Sequence, residues 1–465
     1  MKICVLGLDG AAPQVLFRDE ELSNIRRLMD VGVYGLLECV VPPHTIPAWT
    51  CFTTSQDPGS LGLYGRRQSS DYSSSGVNPP AVDALTVGKH LAREGKRPLL
   101  LGVPQVGTGD PGFPFEPEAG IGEWAGNRPA DIPNLRTRNQ AGLEEEVLAM
   151  SGKQWQIAKH LLREPAWDYF QFVDRGLDRL QHGFWSCFDP RHAQFEPGNP
   201  YQRVIPDYYQ RLDAQIGDVF ELLDEETIVL VMSAFGAQRR DGVVALNEWL
   251  VREGLLVLEE CPSAPTRFEH LRVDWGKTQA WSEGGYCASI FFNVAGRDPQ
   301  GTIPPSQLEG FANDLSNRLE AFEGEDGHSI LTLVFRPREI YREVRGIAPD
   351  LIAQFGGLFW RAADSVGHSR VVFEESDSGS DTCNHSAYGT FMLAAPNCPL
   401  SGEYQGAHLL DMIPTLLDLA GSEIPPGMQG RSLVAGMEKK GAAGSPDSQE
   451  AQKLLHDRLA GLGYI

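Results

Sequence analysis

The sequence predicts an α/β protein with a large, mostly parallel central sheet flanked by helices, an inserted cap and a β-rich extension. Three observations predict it. Apolar runs of strand length alternate with helical stretches through the first half of the chain, the rhythm of strand–helix–strand units. The first run is apolar without polar alternation, which suits a strand covered on both faces. Residues able to do chemistry stand just after the runs, at the carboxyl ends where open α/β sheets gather their function.

Taken in order, the first strand runs from Lys2 to Leu8 and ends at Asp9-Gly10. A helical stretch from Glu20 to Gly32 carries Leu22, Ile25 and Leu28 on one side. Gly35 to Val41 reads as a strand stopped by Pro42-Pro43, and Pro47 to Thr54 as a helix with a proline in its first turn. A Ser-rich polar loop covers Gln68 to Ser75, a helix Ala81 to Glu94 and a strand Arg97 to Val103. Pro104 to Asn134 is rich in Gly and Pro and lacks periodicity, so a lid or cap is expected there. Gln154 to Arg163 reads as helix, Trp167 to Val173 as strand, Tyr208 to Leu223 as amphipathic helix and Glu226 to Met232 as strand. From Gln279 to Val294 and from Ser329 to Phe335 the rhythm turns β-rich, with a helix from Pro305 to Phe322 between. Thr390 to Ala394 is a last strand and Leu409 to Ala420 a helix with an apolar stripe. The expected division is an N-terminal part of the core over 1–103 and a cap over 104–154. The rest of the core with its β-rich extension follows over 155–438, then a polar segment and C-terminal helix over 439–465.

A chain of 465 residues with 42% hydrophobic residues can bury a large core, and length alone allows two or three domains. The net charge of −22 argues against a nucleic acid polymer as main partner, because phosphate backbones need clustered Lys and Arg. No apolar run is long enough for a membrane span. The opening run is interrupted too soon for a secretory signal. The eight cysteines lack CxxC pairing and read as reduced thiols of a cytoplasmic protein.

Asp178 and His182 stand four apart, on one face of any helix that holds them. Such a pair can share one divalent metal that a distant His385 completes, and it can equally be a surface pair or a helix cap. Thr45, before Ile46-Pro47, is either a helix N-cap or a nucleophile. Amides at a helix start would favour a phosphate nearby.

In order and spacing these residues resemble the type I phosphodiesterase/nucleotide pyrophosphatase family of the alkaline phosphatase superfamily, nearly end to end. Val5 to Ala11 resembles its first metal motif, and Pro43-His44-Thr45-Ile46-Pro47-Ala48-Trp49-Thr50 with Pro58-Gly59 its nucleophile segment. Asp178-Arg179-Leu180-Gln181-His182 resembles its DxxxH motif, and Asn384-His385 with Gly389 its last metal histidine. Ala348-Pro349-Asp350-Leu351, Asp411 to Leu417 and Met428 to Leu433 resemble its later segments. The resemblance implies Thr45 as nucleophile and a covalent phosphothreonine intermediate. It implies one divalent metal, usually zinc, on Asp178, His182 and His385, a second metal on Asp9, and a small phosphorylated substrate.

The second metal's remaining ligands should be an Asp-His pair after a strand, yet Ser233-Ala234-Phe235-Gly236 has Ala234 and Phe235 there. Leu61 likewise replaces a family histidine. The expectation is an impaired or atypical phosphoric ester hydrolase, with a non-catalytic pseudoenzyme that binds a phosphorylated ligand or protein partner as the alternative. Arg239 or Arg240, beside Asp241, is a conceivable source of the missing positive charge, against the plainer reading of a solvated loop.

Overall fold

The computed structural model describes residues 1–65, 67–68, 72, 74–75, 84–104, 140–164, 166–324, 327, 329–373, 381–396 and 398–438. The expected segment 439–465 and most of the expected cap lie outside the described residues.

Strand β1 (Ile3–Leu8) is buried at every position. Its side chains split between two cores: Ile3 and Val5 pack on one face, Cys4, Leu6 and Leu8 on the other. Each such apolar side chain contributes roughly 1.5–3 kcal/mol on burial. This is why the run shows no polar alternation. The other strands of the sheet are β2 (Val33–Glu38), β3 (Pro98–Leu101), β4 (Tyr169–Asp174), β5 (Ile228–Ser233) and, past β6 (Gly236–Arg239) and β7 (Cys383–Ser386), which pair with each other in a separate two-stranded sheet, β8 (Tyr388–Ala394). Their order is β2–β8–β5–β1–β4–β3, with Gly402–Glu403 and Ala407–His408 added along β2. The β1, β3, β4 and β5 pairings are parallel, while β8 runs antiparallel to both β2 and β5. The sheet is therefore mostly parallel, as predicted.

Helices α1 (Ser23–Val31), α2 (Thr45–Thr54), α3 (Gln140–Arg163), α4 (Gly176–Phe188) and α5 (Val204–Phe220) cover the faces. Several boundaries differ from expectation, and pairing or burial accounts for two of them. β2 starts at Val33 and ends at Glu38, because its register with β8 pairs Val33 with Leu393 and Glu38 with Tyr388. α3 begins at Gln140, well before Gln154. Leu143, Val147, Ser151, Trp155, Ala158 and Leu162 recur at helical spacing and are all buried.

The β-rich extension is a separate seven-stranded sheet that includes Ala280–Glu283, Ala288–Phe292 and Leu351–Phe355. It carries its own apolar core, to which the helix Leu308–Glu320 contributes. Among the described residues no helix is long and apolar enough to cross a membrane, and all eight cysteines are unpaired.

The later family-like segments are structural ties. Gln429 donates its backbone N–H to the Ser55 carbonyl, and the Ser55 hydroxyl donates to Leu410, fastening the far end of α2. Leu61 packs in the core. Asp350 accepts from Arg297 in the β-rich unit.

Candidate active site

β1 and β4 end side by side, with Leu8 opposite Asp174. Asp174 is fully buried and accepts four hydrogen bonds: from Gly176 N–H at 2.8 Å, Tyr208 at 2.8 Å, Ser151 at 2.7 Å and Trp155 at 2.8 Å. With every lone-pair direction occupied it is a structural carboxylate. It fixes the turn from which Arg175 and α4 emerge.

α4 presents Asp178 and His182 on one face, as their spacing requires. The two-stranded sheet of β7 with β6 sets His385 opposite Ala237 and delivers it from the other side. The three meet. His385 Nε2 lies 3.2 Å from Asp178 Oδ1 and 3.3 Å from His182 Nε2, and His182 Nε2 lies 3.4 Å from Asp178 Oδ1. Donors about 2.0–2.1 Å from a tetrahedral ion lie about 3.3 Å apart, so this set fits one divalent metal of the zinc type. The outward nitrogens are also committed. His385 Nδ1 is 2.6 Å from the Pro43 carbonyl, and His182 Nδ1 is 2.7 Å from Asp381, which is in turn paired with buried Arg361. Such partners fix the tautomer that leaves Nε2 for a metal.

The electrostatics agree. Burial alone would raise the Asp178 carboxyl, yet His182 and His385 hold it well below its usual range. Burial opposes a charge on His182, but Asp381, Cys383, Tyr286 and Asp178 together outweigh it and the pKa is raised. Burial lowers His385.

The second expected metal site is different. Asp9 is fully buried; its Oδ1 accepts from Trp49 Nε1 at 2.7 Å, and its Oδ2 has no hydrogen-bond partner. Ala234 and Phe235 are fully buried too, and neither offers a ligand atom. The loop itself keeps its frame: Ser233 Oγ donates to the Phe235 carbonyl and accepts from Ala11 N–H. The Phe235 ring stacks on His385 at 4.0 Å between centroids, and Tyr286 stacks on it at 3.6 Å. Two rings cannot share one face, so His385 is clamped between them. Among the described residues, the cation that pairs with Asp9 Oδ2 is Arg175, with Nε at 3.6 Å. One carboxylate beside a guanidinium does not fit a second divalent ion.

Burial, then the Asp178 charge, pushes the Asp9 carboxyl up from 3.8 to about 7, against the pull of Arg175, Trp49 and Arg179. Between those values the folded chain holds a proton that the unfolded chain has lost, so stability falls as pH rises through that window. In metal-free protein this loss is on the order of 4 kcal/mol when complete. Asp9→Asn is expected to lack it. Urea unfolding between about pH 5 and pH 7.5 should show the variant gaining on the parent, and a constant difference would refute the assignment.

A cavity of about 600 Å³ opens beside these groups, lined by Thr45, His44, Arg175, Tyr286, Arg361 and Asp381 among others. Thr45 is the first residue of α2. The preceding His44 is the N-cap, which sets aside the N-cap reading of Thr45. Tyr286 stands between the cavity and the His–Asp cluster, with its hydroxyl 3.3 Å from His182 Nε2. The structure brings Asp178, His182 and His385 together, sets Asp9 against Trp49 and Arg175, and puts Thr45 on the cavity wall, which Asp9, Asp178, His182 and His385 do not line. Arg239 and Asp241 pair with each other at 2.6 Å, and neither they nor Arg240 line the cavity. The groups that sequence reasoning missed are Arg175, Tyr286, Arg361 and Asp381. For Arg175 a signal existed, since it follows the carboxyl end of a strand. The other three come from segments remote in sequence.

A model of the type I phosphodiesterase/nucleotide pyrophosphatase family matches residues 3–381. The fold is similar to human ectonucleotide pyrophosphatase/phosphodiesterase 5, at 12% identity and TM-score 0.54, covering 92% of this chain and 96% of that one. An inactive variant of the murine protein, in complex with AMP, matches at 12% identity and TM-score 0.53 over 92% and 96%. Phosphonoacetate hydrolase from Sinorhizobium meliloti 1021, in complex with phosphonoacetate, matches at 14% identity and TM-score 0.59 over 90% and 96%. No curated protein matches the chain.

Proposed function

The chain belongs to the type I phosphodiesterase/nucleotide pyrophosphatase family, and from that premise we propose that it hydrolyses phosphodiester or related phosphate ester bonds with Thr45 as nucleophile. Its substrate is a small phosphorylated molecule, a reading supported by the small phosphorus-containing ligands, AMP and phosphonoacetate, in complex with the two structural relatives. One divalent ion, zinc by the habit of the family, is held by Asp178, His182 and His385. The observation that carries the reading is the convergence of those three ligand atoms within 3.2–3.4 Å, beside the cavity that Thr45 lines.

When bound, the ion supplies positive charge to phosphoryl oxygens and to the oxygens that enter and leave. The chain's own groups do the rest. Thr45 Oγ attacks phosphorus in line as the ester oxygen departs, and the proton lost from Thr45 leaves with the departing alcohol; water then cleaves the phosphothreonine ester, restores the Thr45 hydroxyl and releases the phosphomonoester. The start of α2 lends its positive dipole end to the phosphoryl group. Asp381 and the Pro43 carbonyl keep the two imidazoles oriented. The unpaired cysteines support placement in a reducing, cytoplasmic setting.

Turnover of bis(4-nitrophenyl) phosphate by zinc- or manganese-loaded protein tests this. The expected result is activity that His385→Ala removes together with the bound metal. Turnover no higher than that variant's would overturn the enzyme reading. A second reading is favoured by the packing of Phe235 on His385 in place of a ligand: a pseudoenzyme that binds a phosphorylated ligand or protein partner without turning it over.

A further inference from the structure

We propose that Arg175 occupies the place of the second metal, so that the site works with one divalent ion and one guanidinium. The inference rests on the reading of Thr45 and the single metal above. Three observations lead to it. Asp9 is a fully buried carboxyl, and Ala234 and Phe235, at the positions where the family pattern puts two further ligands, offer no ligand atom. Arg175 Nε lies 3.6 Å from Asp9 Oδ2, the one oxygen of that carboxylate left without a hydrogen bond. Arg175 also lines the cavity together with Thr45, so a phosphoryl group on that hydroxyl would share the cavity with its guanidinium.

The placement is built rather than incidental. Asp174 is held by four donors, and the Gly176 N–H is one of them, so the backbone on both sides of Arg175 is fixed. A planar guanidinium with five donors suits phosphate oxygens and stays charged at any working pH. It also repels a dication that would share Asp9. A carboxyl at Asp9 and non-ligands at Ala234 and Phe235 then have one cause: the carboxylate positions an arginine instead of binding an ion.

Metal content measured by mass spectrometry, together with calorimetric titration of inorganic phosphate, tests this without reference to turnover. Zinc-loaded parent is expected to hold one ion per chain. The Ala234→Asp, Phe235→His double variant should still hold one, because Arg175 remains. Adding Arg175→Met to that pair should give two. In the parent background Arg175→Met should weaken phosphate at least about tenfold, with Arg175→Lys recovering part of it. Two ions in the double variant, one in the triple variant, or phosphate affinity unchanged in Arg175→Met would each overturn the proposal. Where the triple variant fails to fold, the phosphate titration of the single variants decides. Absence of turnover with the expected metal and phosphate results would defeat the hydrolase reading alone.

Discussion

Thr45→Ala is expected to lower turnover of an activated phosphodiester by about 10³-fold or more while leaving the bound metal in place. The magnitude follows from the role. Without the hydroxyl, water must attack directly and the covalent intermediate cannot form. The change should be chemical and not structural, because Thr45 is the first residue of α2 and the helix receives no side-chain cap there. Alanine is tolerated at such a position. Metal content should be unchanged, since the group able to hold an ion, Asp178, His182 and His385, does not include Thr45. Steady-state rates alongside metal analysis check both halves. A rate within a few fold of the parent would remove Thr45 from the mechanism, and loss of metal would show that the variant disturbs more than the nucleophile.

Asp174→Ala should cost stability on a scale few surface changes reach. Its carboxylate is fully buried and satisfies Tyr208, Ser151, Trp155 and the Gly176 amide. Alanine leaves these donors desolvated without an acceptor. Hydrogen bonds to a charged group contribute about 1.5–3 kcal/mol each, and unsatisfied buried groups carry a similar penalty. Losses of this kind are not additive, so a total of roughly 4 kcal/mol or more is expected. Urea unfolding would measure it, and a loss below about 1 kcal/mol would contradict the structural role. The same variant should weaken phosphate binding even where it remains folded, because Arg175 takes its position from this turn.

The sequence by itself determined a good deal. Local patterns carry strands and helices, since burial on two faces demands the continuous apolar run of β1 and helical periodicity places Asp178 above His182. The order of motifs gave the family, and with it the nucleophile expectation at Thr45 and the missing ligands at Ala234 and Phe235. What only the tertiary structure decided is which distant groups meet. Asp381 reaches His182 across 199 residues, and Tyr286 reaches it across 104. Contacts of that range leave no periodicity to read.

The direction of β8 was equally hidden, because an apolar run has the same composition read parallel or antiparallel. Nor could spacing separate Asp174 from Asp178. Both are acidic residues just past one strand, yet four donors saturate the first and two imidazoles face the second. The charge beside Asp9 was sought at Arg239 and Arg240, near in sequence to the lost ligands. The fold brings it from Arg175, because β1 and β4 are neighbours in the sheet and their carboxyl ends lie together. Adjacency of parallel strands is a property of the assembled sheet, and it is what turns two remote residues, Asp9 and Arg175, into a pair.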